Sequence, residues 1–101
     1  MLAESHKFTP EEAKEPRATL GLWLKSLREA AGLSQRDLAD RLSLDYYTFI
    51  SQLENGRGKI PAHRYVEWAQ ALEQNPKSFV RELLRFYEPL TYQILFEDAA
   101  S

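Results

Sequence analysis

The chain has 101 residues, which suits one domain with one core, and its 44% apolar content argues against wholesale disorder. It contains no cysteine, so disulfides and thiolate metal sites are excluded. The net charge of −2 is uneven: between Arg17 and Arg64 eight cations face five acids, a local +3, whereas residues 1–16 sum to −2 and residues 65–101 to −3. A basic middle between acidic ends can hold nucleic acid despite an acidic whole. No apolar run approaches a membrane span and no secretory signal opens the chain, so a cytoplasmic protein is expected.

Residues 1–16 are polar, carry Pro10 and Pro16, and read as a flexible N-terminal arm. Thr19 can cap a first helix running to about Ala31, with Leu20, Trp23, Leu24, Leu27 and Ala31 at helical spacing and Gly32 as its stop. Ser34 begins a second helix, and Asp37 three residues on resembles a capping box. Leu38, Ala39 and Leu42 form its inner stripe. Ser43-Leu44 is the turn, and Asp45 can cap a third helix ending at Glu54, where Asn55-Gly56 stops it.

Pro61 opens a fourth helix over roughly 61–73, with Tyr65, Val66, Trp68, Ala69 and Leu72 as its apolar face. Asn75-Pro76 is a cap followed by proline at the first helical position of a fifth helix, which reaches about Tyr87. Phe79, Val80, Leu83, Leu84, Phe86 and Tyr87 give that helix a wide apolar face. After Pro89, Leu90, Tyr92, Ile94 and Phe96 alternate with Thr91, Gln93 and Leu95, a pattern that suggests a strand without excluding a helix. The domain is expected to span 17–88, with 89–101 a C-terminal extension.

The chemistry lies in the third helix. On a wheel of 100° per residue, Ile50, Leu53 and Glu54 share one side, with Tyr46 near them. Thr48, Gln52 and Asn55 lie opposite, flanked by Ser51. That face is small, neutral and rich in hydrogen-bonding groups. It can approach a groove closely, and glutamine can pair with adenine through two hydrogen bonds. Taken alone, such residues are ordinary solvated surface.

Their neighbours give them meaning. LREAAGLSQRDLADRL followed by ISQLENGRGKIP, within residues 20–61, resembles the Cro/CI-type (XRE, lambda-repressor-like) helix-turn-helix family. The resemblance implies an all-α, five-helix DNA-binding domain. It assigns Gln35 to the DNA backbone and to bracing the reading helix, with Arg36 beside it at a phosphate. It puts Thr48, Ser51 and Gln52 at bases, and Asn55, Arg57 and Lys59 at phosphates. Arg28 and Glu54 match a structural ion pair. From Leu42 to Glu54 the chain has one residue more than the family's usual spacing, within LDYYTFIS. The turn is then longer, or the third helix starts differently, and Tyr46 and Tyr47 lie in that stretch. They serve either as boundary aromatics or as contacts to a phosphate or a thymine methyl.

Other chemistry has little support. His6 and His63 are far apart, Gly56 and Gly58 follow a helix rather than precede one, and no catalytic constellation stands out. Neither an enzyme nor a metal or cofactor is expected. The expected protein is a bacterial or phage transcriptional regulator that binds a double-stranded operator, a repressor rather than an activator, with no ligand-sensing domain. It is expected to pair as a homodimer through helix five and residues 90–96. The alternatives are an antitoxin that also autoregulates, and an interaction module that does not bind DNA.

Overall fold

The computed structural model describes the backbone of residues 10–97 and the side chains from Pro16 onward. Among the described residues six α-helices follow one another: α1 (Pro10–Ala30), α2 (Gln35–Arg41), α3 (Thr48–Glu54), α4 (Tyr65–Ala71), α5 (Pro76–Tyr87) and α6 (Pro89–Phe96). A short 3-10 turn, Ala62–Arg64, leads into α4. No strand occurs among the described residues.

The core is continuous. Leu20 and Leu24 of α1 meet Leu38 and Ala39 of α2, Ile50 and Leu53 of α3, Trp68 and Leu72 around α4, and Phe79 and Leu83 of α5. Trp23 stacks on Phe79 at 5.5 Å between ring centroids, and Phe49 meets Trp68 edge-on at 6.2 Å. α1 packs on α3 and α5, α2 on α3, and α4 and α6 on α5.

Four helices close in the same way. Gly32, Ser43, Gly56 and Glu73 each adopt positive φ. In each case the next residue's N–H donates back into the helix, as from Leu44 to the Ala39 carbonyl at 2.8 Å. Ser43 and Glu73 hold this conformation although they are not glycine, at a cost of about 1–2 kcal/mol each.

Several boundaries differ from the sequence reading. α1 starts at Pro10, not at Thr19, so residues 10–16 are helical rather than part of an arm; residues 1–9 lie outside the described residues. Pro10 at the first helical position, followed by Glu11, Glu12, Ala13 and Lys14, makes a favourable helix start. These outweigh the hydrogen bond lost at Pro16. α3 begins at Thr48 rather than at Asp45. Its N-cap is Tyr47, which makes no side-chain capping bond, because the longer connection uses 43–47 as turn. Tyr46 therefore escapes the inner face expected for it and is 77% exposed. α4 is shorter than expected, and Val66 points outward at 52% exposure. Residues 89–96 form a helix, since a strand there has no neighbouring strand to complete its hydrogen bonds.

Gly21 sits mid-helix where α1 crosses the end of α3. A Cβ there would lie 2.5 Å from the Glu54 carbonyl oxygen and 2.7 Å from that of Leu53. Gly21→Ala is expected to cost about 1–3 kcal/mol in urea unfolding, because backbone cannot yield as a flexible side chain can.

The Ser34 capping box is complete, with the Asp37 N–H donating to Ser34 Oγ and the Ser34 N–H to Asp37 Oδ2. The bond from the Ser34 backbone, then that from its hydroxyl, holds the Asp37 carboxyl below its ordinary pKa. A depressed folded pKa means that the stabilisation is present above the unfolded value of about 3.9 and is lost as pH falls through the folded value. Stability measured from pH 5 to pH 2 is therefore expected to fall less steeply in Asp37→Asn than in the parent chain.

Candidate nucleic-acid interface

The site is built around the Glu54 carboxylate at the end of α3. Arg28 Nε donates to Glu54 Oε2 at 2.7 Å, and Arg28 Nη2 to Oε1 at 3.1 Å. Gln35 Nε2 donates to the same Oε1 at 3.0 Å. The remaining Arg28 nitrogen, Nη1, donates to the Leu33 carbonyl at 2.8 Å, across the α1–α2 turn. One carboxylate thus joins α1, α2 and α3. Both charged side chains are more than nine-tenths buried. The Glu54 hydrogen bond, more than the opposing burial, raises the Arg28 pKa above its ordinary value, so the guanidinium stays charged.

This frame sets the orientation of α3. Ile50 and Leu53 are buried against the core, which turns Thr48, Ser51, Gln52 and Asn55 outward. Thr48, Gln52 and Asn55 are exposed and Ser51 is half-buried. Asn55 also closes the helix, donating from Nδ2 to the Ser51 carbonyl at 2.9 Å.

Cations flank the face. The Arg36 guanidinium lies over the Tyr47 ring, 5.9 Å from its centroid. Both border a shallow groove of about 280 Å³ that is also lined by Arg28, Ser34 and Gln35. Tyr47, and Tyr46 before it in the turn, are exposed. Arg57 and Lys59 are exposed just beyond α3. Lys59 Nζ rests 4.9 Å from the Tyr87 ring centroid, and the Tyr87 hydroxyl accepts the Ile60 N–H at 3.1 Å. Burial pushes the Tyr87 phenol above its ordinary pKa, which keeps it neutral. The end of α5 thereby anchors the loop that follows α3.

Other cations of the basic middle do structural work. Arg41 Nη1 donates to the Ala71 carbonyl at 2.9 Å and reaches Glu73 at 3.2 Å. Arg64 Nη2 donates to the Leu42 carbonyl at 2.6 Å, satisfying the end of α2, and Arg64 Nε meets Glu67 at 2.8 Å. Charge counting alone had placed both in the local +3. The sequence pattern gives no place to Gly21, and it puts Tyr87 only on the apolar face of the fifth helix, without its bond to Ile60. A glycine inside a helical pattern was the available signal for the first; nothing local signals the second.

Two short helices, the second tied to the first through Gln35 and Glu54 and presenting an exposed neutral face between cations, define the helix-turn-helix class of DNA-binding unit. The profile of the helix-turn-helix domain family matches residues 21–88, and the chain belongs to that family, in its Cro/CI-type branch. No curated protein matches it. The family is one of DNA-binding regulators. Among the described residues no three His, Cys, Asp or Glu side chains gather as a metal site, and no helix is long and apolar enough to cross a membrane.

Removing one partner of the buried pair leaves the other charge stranded. Arg28→Met and Glu54→Leu are each expected to lose about 3–5 kcal/mol in chemical denaturation, and the double variant much less than their sum.

Proposed function

We propose that this chain is a sequence-specific regulator that binds double-stranded DNA and acts as a repressor by occupying promoter sites. The observation that carries this reading is the outward face of α3, small and uncharged, held by the Glu54 frame between Arg36 on one side and Arg57 and Lys59 on the other. α3 is about 10 Å long, the rise of roughly three base pairs, and its bare polar face suits the major groove. Thr48, Ser51 and Gln52 meet base edges. Gln35, Arg36, Asn55, Arg57 and Lys59 meet the phosphates that fix register. Tyr46 and Tyr47, exposed on the longer turn, extend the contact beyond α3.

The reading segment is 48–54, narrower than the 45–54 expected from sequence. The protein works in the bacterial or phage-infected cytoplasm, on nucleoid DNA. It acts as a homodimer through α5 and residues 90–96, which lets two reading helices address half-sites about one helical turn apart.

Duplex binding is expected to weaken steeply as salt rises from 50 to 200 mM, as counterion release requires. Arg57→Ala should reduce the slope of log K against log salt by about 1, leaving sequence preference intact. Gln52→Ala should cost about 1–3 kcal/mol on the preferred site and little on unrelated duplex. Salt-insensitive association with every duplex tested would defeat this reading.

A further inference from the structure

We propose that Tyr87 is a positioning residue for DNA binding: from the end of α5 it holds the loop after α3 so that Lys59 is presented to a phosphate. This rests on the DNA reading above and adds to it a residue that acts only through another.

The loop 55–61 is made of conformationally permissive parts. Gly56 and Gly58 both adopt positive φ, at 83° and 74°. Such a segment would let its two cations, Arg57 and Lys59, wander unless it is tied down. Part of it is tied without help from α5. Gly56 lies against the α1 backbone, where an added Cβ would come 3.2 Å from the Ala18 nitrogen. The Arg57 N–H donates to the Gln52 carbonyl at 2.8 Å, so the end of α3 itself sets the backbone of Arg57. Ile60, at the far end, is buried in the core.

Lys59 takes its constraint from α5. The Ile60 N–H, which donates to the Tyr87 hydroxyl at 3.1 Å, belongs to the planar peptide unit that joins Lys59 to Ile60. Fixing that plane fixes the backbone direction of Lys59. The ring of the same tyrosine lies 4.9 Å from Lys59 Nζ, while the lysine as a whole stays exposed. Tyr87 thus holds Lys59 twice, through the main chain by its hydroxyl and through the side chain by its ring. Among the described residues no carboxylate pairs with Lys59, so its charge is left for a phosphate.

The strength of the contact suits presentation rather than storage. At an exposed site a cation–π contact changes a population by about two- to fivefold. That biases the ammonium toward one place without withholding it from a phosphate oxygen, whose charge-assisted bond is stronger. Arg57, set by α3, is the internal comparison: a change at Tyr87 reaches Lys59 and leaves Arg57 in place. A tyrosine that served stability alone would act on the whole domain alike.

The test joins binding of the full chain to a random-sequence DNA duplex, across a salt series, with hydrogen exchange of the free chain. Tyr87→Leu is expected to bind about two- to fivefold more weakly than the parent chain. It should also lower the slope of log K against log salt by about 0.9, as Lys59→Ala does, because one phosphate contact is lost. Tyr87→Leu with Lys59→Ala is expected to lose no more than either alone, whereas Tyr87→Leu with Arg57→Ala should lose the sum. In the free chain, Tyr87→Phe keeps the ring and is expected to speed exchange at the Ile60 amide by about two- to tenfold, the worth of one hydrogen bond. The mid-helix amides of Leu24 and Leu83 should exchange as in the parent chain. Additive losses at Tyr87 and Lys59 overturn the proposal, as does faster exchange at all three amides alike. Tighter binding by Tyr87→Leu also overturns it, since the ring would then be withholding Lys59. A parent chain whose duplex binding ignores salt defeats the DNA reading and this proposal together. Salt-sensitive parent binding with additive variants defeats this proposal alone.

Discussion

The Glu54 carboxylate is the constraint around which the other features are arranged. It is buried, so its charge must be met by donors held in place, and the three that meet it come from two different helices. A buried ion pair adds little net stability over an apolar substitute, but it allows few alternative geometries. Here it fixes where α3 ends relative to α1 and α2. Gly21 complements it two turns earlier on α1: the absent side chain lets α1 approach the same helix end closely. Charge pairing and close backbone approach thus act on one spot, from which α3 projects its polar face.

Around that spot, arginines with similar surroundings in the sequence divide into distinct tasks. Arg28 is buried, Arg41 and Arg64 satisfy carbonyls at the ends of neighbouring helices, and Arg36 lies over Tyr47 at the surface. A helix end leaves carbonyls without internal partners, and a long cationic side chain from the next helix is an economical way to satisfy them. The chemistry of the exposed face thus depends on which cations the fold has already engaged. Tyr87 shows the same logic from the far side of the domain. Its hydroxyl and ring hold Ile60 and Lys59, so the loop after α3 is tied to the helix that leads into α6.

Much of the local architecture could be read before any coordinates. Ser34 with Asp37, Asn55-Gly56, and Asn75 with Pro76 mark helix ends through contacts within a few residues, and those contacts are present. The burial of Leu38, Ile50, Leu53 and Leu83 follows from helical spacing. The reading was weaker where two local rules competed. At residues 10–16 proline punctuation argued against a helix that strong helix formers nonetheless build. At 43–47 a plausible Asp45 cap competed with a left-handed turn at Ser43, whose return bond from Leu44 to the Ala39 carbonyl closes α2 before α3 begins at Thr48.

The one-dimensional pattern therefore determined an all-helical domain, most of its helix ends, and the outward polar face of the third helix, because each depends on neighbours three or four residues away. Contacts between distant residues decided the rest. The joining of three helices through Glu54, the close crossing at Gly21, the engagement of Arg41 and Arg64, and the exposure of Tyr46 depend on residues 19 to 33 positions apart meeting in space or on where a helix begins once the core has closed. No periodicity encodes such meetings; packing, burial of charge and satisfaction of backbone carbonyls select them.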